Sequence, residues 1–225
     1  MIIAPGEGET AQAIAVAARA AGWTVVLARR SAAGETAARG TDEPSRGGPP
    51  AFGDVSLPWN PASYVSAGAL AIGASSKDEI DALVLVSALE GEEPSLFDGP
   101  PGSLAGALEQ ATAGPVWLSR EMLRRFEARK SGKVLAVSVE KAPREGTAPG
   151  ETAWASFVAG TFRGFGEGLF DRARGARWKA WGIVDKSGKP AALASFAIAL
   201  IEEGKETKSG RWLSFNGKGG IFGIF

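Results

Sequence analysis

Few side chains in this sequence are suited to acid–base or nucleophilic chemistry. Its 225 residues include no histidine and no cysteine, which excludes His-based triads, thiol nucleophiles, disulfides and Cys/His metal sites. Tyr64 is the only tyrosine. Proton transfer would therefore depend on Asp, Glu or Lys side chains, or on this one phenol.

Two glycines near the N-terminus, Gly6 and Gly8, form the candidate turn for anion binding. They allow the backbone to approach a phosphate, and the N–H groups of a following helix would face it. Glu7 and Glu9 oppose this use, because a carboxylate about 5 Å from a phosphate costs about 3 kcal/mol at an effective dielectric of about 20. The competing interpretation is that Glu9 and Thr10 cap the helix and complement its dipole.

Arg29 and Arg30 follow an apolar run, Val25 to Ala28, and end the second predicted strand. Basic residues at this position contact the 2′-phosphate of NADPH in dinucleotide-binding folds. Two adjacent arginines at a strand end are also ordinary solvated charge. The acidic turn favours this second interpretation.

Strand and helix patterns alternate along the whole chain. A strand at 1–4, a helix to about Ala21 and a strand at 23–28 predict a βαβ unit with two parallel strands. The run from Ile80 to Leu89 is apolar on both faces and predicts the central strand. Further strands are predicted at 51–55, 132–139, 177–184 and 210–215, and further helices from Asn60-Pro61 to about 75, from a Ser103 cap to about 130, at 151–174 and at 191–203. The order predicts an α/β fold, a doubly wound, mainly parallel sheet with helices on both faces in a Rossmann-like three-layer sandwich.

Length and composition favour a single domain over residues 1–225, with 31–50 as a flexible loop and 216–225 as a C-terminal tail. Lys plus Arg and Asp plus Glu balance at 25 each, so no net field favours nucleic acid or an acidic membrane. No apolar run reaches the roughly 18 residues of a membrane span. We therefore expect a cytoplasmic protein that binds neither nucleic acid nor membrane and carries no signal peptide.

Taken in order, these segments resemble the short-chain dehydrogenase/reductase (SDR) family. The run IDALVLVSAL resembles that family's central strand, and GKVLAVSV resembles the strand before its active site. ETAWASFVAGTFRGFGEGLF is similar to its catalytic helix, and SGRWLSFNGKGG looks like its C-terminal strand and glycine pair. The resemblance covers nearly the whole chain and implies a Rossmann-like fold with a nicotinamide cofactor.

The resemblance also indicates where catalytic residues would lie. The family's catalytic Ser falls on Val139, and Ser138, one position away, is expected on the opposite face of the strand. Its Tyr-x-x-x-Lys pair falls on Trp154 and Val158. That pair sets a phenol and an ammonium one helical turn apart, so that the cation lowers the pKa of the phenol. Neither replacement can supply this chemistry.

The phosphate-binding motif TGxxxGIG of the resembled family is lost as well. Its three glycines fall on Pro5, Glu9 and Ala11, its Asn-containing tetrad falls on 85–88, and its helix-borne Asn falls near Ala111. The remaining candidates for contact with a cofactor are Gly6, Gly8, Arg29 and Ser87.

Three functional hypotheses follow. The first is a catalytically degenerate member of the fold, a pseudoenzyme with a structural, regulatory or partner role, for which we expect no metal and no cofactor, or NADPH if any. The second is a divergent NADPH-dependent oxidoreductase whose acid is Ser138, Glu140 or Lys141. The third is a binder of small apolar ligands, since Trp154 and Val158 would make the vacated cofactor cleft more apolar.

The resemblance further implies self-association. The helices at 103–130 and 151–172, together with the C-terminal tail, correspond to interfaces of the family. Aromatic residues from Trp154 to Phe170 and the apolar run Ile221 to Phe225 fit such a use. We expect a homodimer or homotetramer, with a protein partner as a further possibility.

Overall fold

A computed structural model describes residues 2–5, 8–30, 55–87, 95–140, 147–204 and 208–217. The described strands are β1 (Ile2–Pro5), β2 (Val25–Arg30), β3 (Val55–Trp59), β4 (Ala82–Ser87), β5 (Lys133–Val139), β6 (Lys179–Asp185) and β7 (Trp212–Phe215). The helices are α1 (Glu9–Ala20), α2 (Tyr64–Ser75), α3 (Pro101–Arg129), α4 (Pro149–Ala173) and α5 (Pro190–Glu203). The strands form one sheet in the order β3-β2-β1-β4-β5-β6-β7, and every pair is parallel. The predicted doubly wound α/β sheet, with the apolar run at 82–87 as its central strand, is confirmed.

Two separate apolar cores fill the space between the sheet and its helices. Residues of α2, α3 and α4 cover one side of the sheet, which we call the α3/α4 face. Residues of α1 and α5 cover the other, the α1/α5 face. Alternate residues of one strand point to opposite faces, so Val134 and Ala136 of β5 belong to the first core and Leu135 and Val137 to the second.

Helix α5 packs on the side of the sheet opposite to the one that a right-handed crossover would place it on. β6 and β7 extend the sheet in the same direction as β5 and β6, but α4 packs on the α3/α4 face and α5 on the α1/α5 face. The β6-α5-β7 connection is therefore opposite in hand to β5-α4-β6, although parallel crossovers share one hand in about 98% of cases. Packing of α5 against α1 accompanies this arrangement.

The third strand extends further along the chain than predicted, and residues 51–54 lie outside the described ranges. The sequence indicated 51–55, whereas β3 spans Val55–Trp59. Val55, Leu57 and Trp59 alternate toward the α3/α4 core while the residues between them are exposed. Pro58 lies within β3, which is an edge strand, where a missing N–H is tolerated.

Helices α2 and α3 begin at residues other than those predicted. The N-cap of α2 is Ser63, whose hydroxyl accepts a hydrogen bond from the Ser66 N–H at 3.2 Å. Asn60 instead forms a turn before the helix, where its side-chain oxygen accepts from the Ala62 N–H. Ser103 is not a cap, because it lies in the first turn of α3.

Several predictions concern residues outside the described ranges. These are the turn residues Gly6 and Glu7, the loop at 31–50, Lys141, and the C-terminal tail beyond Gly217. Within the described ranges, no helix is both long enough and apolar enough to cross a bilayer.

Candidate functional site

The carboxyl ends of β1 and β4 mark the position where an open parallel sheet binds its ligands. The connection from β1 leads through α1 to β2 on one side, and the connection from β4 leads through α3 to β5 on the other side. In such sheets the crevice between the two diverging connections is the usual ligand site. The predicted site residues can be located relative to this crevice.

The N-terminus of α1 borders the crevice. Gly8 is the N-cap residue and makes no side-chain cap. Glu9 therefore lies within the first turn and is exposed, which corrects its predicted role as a cap. Thr10 and Ala11, which belong to the same helix, are buried. Unpaired N–H groups and a positive dipole end attract anions, but the neighbouring Glu9 carboxylate reduces that attraction.

Arg29 and Ser87 lie near the carboxyl ends of β2 and β4, two strands that β1 separates. Arg29 is exposed at the end of β2, opposite Pro58 of β3. Ser87 is the last residue of β4 and pairs in register with Ser138 of β5. Neighbouring strands are about 4.8 Å apart, so Ser87 and Ser138 are close, and Arg29 lies about 10 Å from Ser87. The structure thus brings the two serines together and leaves the arginine apart.

Ser138 and Val139 point to opposite faces of the sheet, as expected. Val139 packs against the α1/α5 core. Ser138 follows the alternation of Val134 and Ala136 and so lies on the α3/α4 face. Its side chain is fully buried, and its hydroxyl has no hydrogen-bond partner among the described residues. A buried polar atom without a partner is uncommon and costs about 1–3 kcal/mol. The Ser138 hydroxyl is such an atom, and it lies at the carboxyl end of β5.

Helix α4 presents a continuous buried stripe to the α3/α4 face. The stripe repeats mainly every four residues and consists of Trp154, Val158, Phe162, Gly166 and Phe170. Trp154 and Val158, the residues in the Tyr-x-x-x-Lys frame, are each only 3% exposed. They therefore lie one helical turn apart on the same face of the sheet as Ser138. These two side chains carry neither a phenol nor an ammonium group.

A polar cluster joins the ends of β5 and β6 to α4. The Glu140 carboxylate lies 3.4 Å from Nε of Arg163 and 3.8 Å from Nζ of Lys186. The Arg163 contact lacks hydrogen-bond geometry, so one buried oxygen of Glu140 has a charged neighbour but no hydrogen bond. Glu140 thus forms ion pairs that connect α4 to two strand ends. Glu140 was predicted from the sequence as a candidate acid, and its contacts with the two cations were not predicted.

Asp185 is a second acidic residue at this edge, and the sequence analysis missed it. Its side chain is buried and accepts hydrogen bonds from the Ser187 N–H at 2.9 Å and the Ser187 hydroxyl at 2.6 Å. The carboxylate therefore closes the turn between β6 and α5. A turn sequence Asp-Lys-Ser-Gly directly after an apolar strand was the signal for this role.

Trp212 fills a slot formed by two glycines. A Cβ atom added to Gly166 of α4 or to Gly182 of β6 would overlap the Trp212 ring. The ring also contacts Phe170 edge-on, with centroids 5.3 Å apart. Because α5 crosses on the other face, this tryptophan supplies apolar cover beside α4 at the β6–β7 side of the sheet.

The described part of the chain contains no group of three or more acidic side chains that could hold a metal ion. The chain matches no protein-family model. No curated protein matches it in sequence. Solved structures, in contrast, superpose on nearly its full length.

Three of these structures illustrate the match. A metagenomic short-chain oxidoreductase in complex with NADP superposes with a TM-score of 0.70 at 15% identity, over 94% of each chain. YwfH, an NADPH-dependent reductase involved in bacilysin biosynthesis, gives 0.70 at 13% identity, over 97% of this chain and 98% of its own. An oxidoreductase of the short-chain dehydrogenase/reductase family from Brucella ovis, in complex with a partially ordered NAD, gives 0.70 at 15% identity, over 96% and 98%.

Sequence identities this low establish the fold and not the activity. The chain has the short-chain dehydrogenase/reductase fold, a Rossmann-like three-layer sandwich, as the resemblance predicted.

Proposed function

We propose that this protein is a catalytically degenerate relative of short-chain oxidoreductases that acts as a structural or regulatory subunit. The observation that carries the proposal is the pair Trp154 and Val158, which are buried one turn apart on the face of α4 that covers the sheet. An indole N–H is a hydrogen-bond donor only, and valine has no polar atom in its side chain. Hydride transfer that depends on a phenol and an ammonium therefore lacks both groups at these two positions.

The other polar residues at this edge do not replace the missing pair. A serine hydroxyl such as that of Ser138 is a weak acid that needs an adjacent base or cation for activation. The carboxylate of Glu140 contacts Arg163 and Lys186 and serves as an anchor between elements. These contacts support the proposal that the protein keeps the fold and has lost the catalytic activity.

The alternative function is a divergent NADPH-dependent oxidoreductase. Arg29 favours it, because an exposed cation at the end of β2 suits a 2′-phosphate. The solved structures with this fold include proteins bound to NADP and NAD. The unpartnered Ser138 hydroxyl would then be the first candidate for contact with a substrate carbonyl.

A nucleotide titration separates the two functions. NADPH and NADH are added to millimolar concentration while tryptophan fluorescence and the melting temperature are recorded. A ligand at about one hundred times its dissociation constant adds about 2.7 kcal/mol, which raises the melting temperature of a domain of this size by about 5–11 °C. We expect a change below about 1 °C for both nucleotides.

Saturable binding of NADPH would overturn the proposal and support the oxidoreductase. The matched variant Arg29→Glu identifies the source of such binding. It should weaken NADPH binding at least about tenfold if a 2′-phosphate is recognised, because a cation is replaced by an anion, and leave NADH binding nearly unchanged.

We further propose that the α3 and α4 helices associate with those of a second copy. Gly160, Gly164 and Gly168 form a stripe on α4, and a Cβ atom added to any of them meets nothing within 4 Å. Phe157 is exposed on the same helix. Small residues at regular spacing allow two helices to approach closely. Gly164→Leu should lower the mass found by sedimentation at micromolar concentration, whereas a wild-type protein that sediments as a monomer would contradict this association.

A further inference from the structure

Helix α3 consists of two parts that differ in their packing. In its C-terminal part, Leu118, Met122 and Phe126 are fully buried in the α3/α4 core. In its N-terminal part, residues 101–113, no residue whose side chain is described is buried. Most of the stability of a helix in a protein comes from packing of one face against the core. The N-terminal part of α3 lacks that support.

The boundary between the two parts lies at the carboxyl edge of the sheet. A Cβ atom added to Gly114 would meet Pro61 and the ring of Trp59, which is the last residue of β3. Residues 101–113 continue for about 20 Å beyond this contact, given a rise of about 1.5 Å per residue. Because α3 connects β4 to β5, this part of the helix borders the crevice at the carboxyl ends of these strands.

The sequence weakens the helix at the same boundary. Pro115 lies inside α3 and has no N–H, so the Ala111 carbonyl lacks its usual helical donor, and the proline ring crowds that carbonyl. Gly114 adds backbone freedom that helix interiors normally avoid. Sharp bends in helices almost always occur at residues of these kinds. Gly114 and Pro115 therefore combine a close contact with the sheet edge and a weak helical backbone, which is what a hinge requires.

The far end of the segment is fastened to helix α4. Residues 95–99 form a turn in which the Gly99 N–H donates to the Ser95 carbonyl at 2.9 Å. The Leu96 N–H donates to the carbonyl of Gly150, in the first turn of α4, at 3.1 Å. A Cβ atom added to Gly150 would overlap the Ser95 hydroxyl. We call this hydrogen bond and this close contact the latch.

Ser87 and Ser138 lie at the same edge, where α3 and α4 meet above the sheet. The two serines are neighbours in register at the ends of β4 and β5, and α3 contacts β4 while α4 contacts β4, β5 and β6. The Ser138 hydroxyl is buried and has no partner among the described residues. Such a hydroxyl is uncommon. Its burial at the ligand-binding edge of a parallel sheet is explained if this structure is the closed state of a cleft.

We propose that residues 101–113 form a lid that pivots at Gly114 and Pro115, opens when the latch is released and gives access to Ser138. Opening breaks one backbone hydrogen bond of the latch and removes no buried side chain of the lid from the core. Lids of enzymes and binding proteins move in this way on microsecond to millisecond timescales. The inference goes beyond the proposed function, because a lid controls access to the cleft whether or not catalysis has been lost.

A single cysteine reports the opening, because the chain contains no native cysteine. Ser138→Cys exchanges a hydroxyl for a thiol, and alkylation by iodoacetamide, followed by mass spectrometry, measures how often that thiol becomes accessible. Val137→Cys is the matched control, since Val137 is fully buried on the α1/α5 face of the same strand. After correction for stability, Ser138→Cys should react at least about tenfold faster, with little dependence on low urea, because a local opening exposes little surface.

Variants of the hinge and of the latch should change this rate in opposite directions. Pro115→Ala restores the missing N–H and should slow the alkylation of Ser138→Cys at least about tenfold. Pro101→Ala is the matched control, because proline is tolerated in the first turn of a helix, and should leave the rate unchanged. Gly150→Ala pushes Ser95 away from α4 and should raise the rate several-fold. Circular dichroism checks that each variant is folded.

Equal rates for Ser138→Cys and Val137→Cys, or a urea dependence equal to that of global unfolding, would overturn the opening of the cleft. A Pro115→Ala variant that reacts as fast as its parent would overturn the hinge, and an unchanged rate in Gly150→Ala would overturn the latch. The series is repeated with Gly164→Leu added. Failure of the α3/α4 association leaves these rates unaltered, so the two proposals can fail independently.

Discussion

Helices α5 and α2 are similar in composition and opposite in surroundings. Both consist mainly of alanine and large aliphatic residues. The outer residues of α5 are small or polar, namely Ala191, Ser195, Glu202 and Glu203. Its aliphatic residues are covered by the sheet and by α1. The outer residues of α2 include Val65 and Ile72, which nothing in the described chain covers.

The difference shows which parts of the sequence serve the fold of a single chain. An amphipathic helix such as α5 can be explained entirely by packing within the chain. The outer face of α2 gains nothing from packing within the described chain.

The largest effect should come from matched isoleucines on the two helices. Ile198→Ala on α5 removes a side chain that is 4% exposed and should lower the free energy of unfolding by about 2–5 kcal/mol. Ile72→Ala on α2 should change it by less than about 0.5 kcal/mol in dilute protein, as surface substitutions do. Urea unfolding of both variants measures the two values. Equal losses would mean that the outer face of α2 is buried within the monomer.

Matched glycines on α4 should give opposite signs. Gly166→Ala places a methyl group against Trp212 and should destabilise the protein by about 1–3 kcal/mol through overpacking. Gly164→Ala enters open space and should stabilise the helix by up to about 1 kcal/mol. Thermal unfolding of dilute samples compares them. A stabilising Gly166→Ala would show that Trp212 moves readily out of its slot.

The carbonyl end of α5 is capped by a lysine from another element. Nζ of Lys133 donates to the Ile201 carbonyl at 2.6 Å, and Nζ of Lys179 lies at a longer 3.4 Å from the Gly204 carbonyl. Lys133→Met keeps the apolar stem but removes the donor, and should cost about 1–2 kcal/mol. Lys179→Met should cost less than about 1 kcal/mol. The reverse order in chemical denaturation would refute this assignment.

The smallest effect concerns an exposed ion pair between α3 and α4. Arg172 donates two hydrogen bonds to the Glu127 carboxylate, at 2.8 and 3.2 Å. These bonds, together with the positive charge of Arg172, hold the pKa of the Glu127 carboxyl below its ordinary value. The folded state then binds fewer protons than the unfolded state, so the contribution to stability is full above the ordinary carboxyl value, about 4.3, and is lost as the pH falls further.

Solvent screens this pair, so Glu127→Gln should cost only about 0.2–1 kcal/mol at pH 7. The difference from the wild-type protein should vanish near pH 3 and shrink in about 1 M salt. Urea unfolding at both pH values measures it. A difference that persists at pH 3 would indicate that packing, and not charge, accounts for the loss.

The sequence alone determined the alternation of strands and helices and the central position of the 82–87 strand. These features depend on local periodicity, which a single segment carries within itself. The burial of Trp154, Phe162 and Phe170 within one chain, where an interface between copies was expected, came only from the structure. The edge strand at 55–59 was misplaced because its pattern is interrupted by Pro58 and covered on only one face.

Only the tertiary structure decided which partners meet at the strand ends. The face occupied by Ser138 depends on which helices cover each side of the sheet, and the contacts of Glu140 with Arg163 and Lys186 join three elements. The crossing of α5 to the α1/α5 face likewise depends on packing between segments far apart in the chain. Exposure of the outer face of α2 is of this kind too, because apolar residues on a helix become a surface only when no other element of the fold covers them.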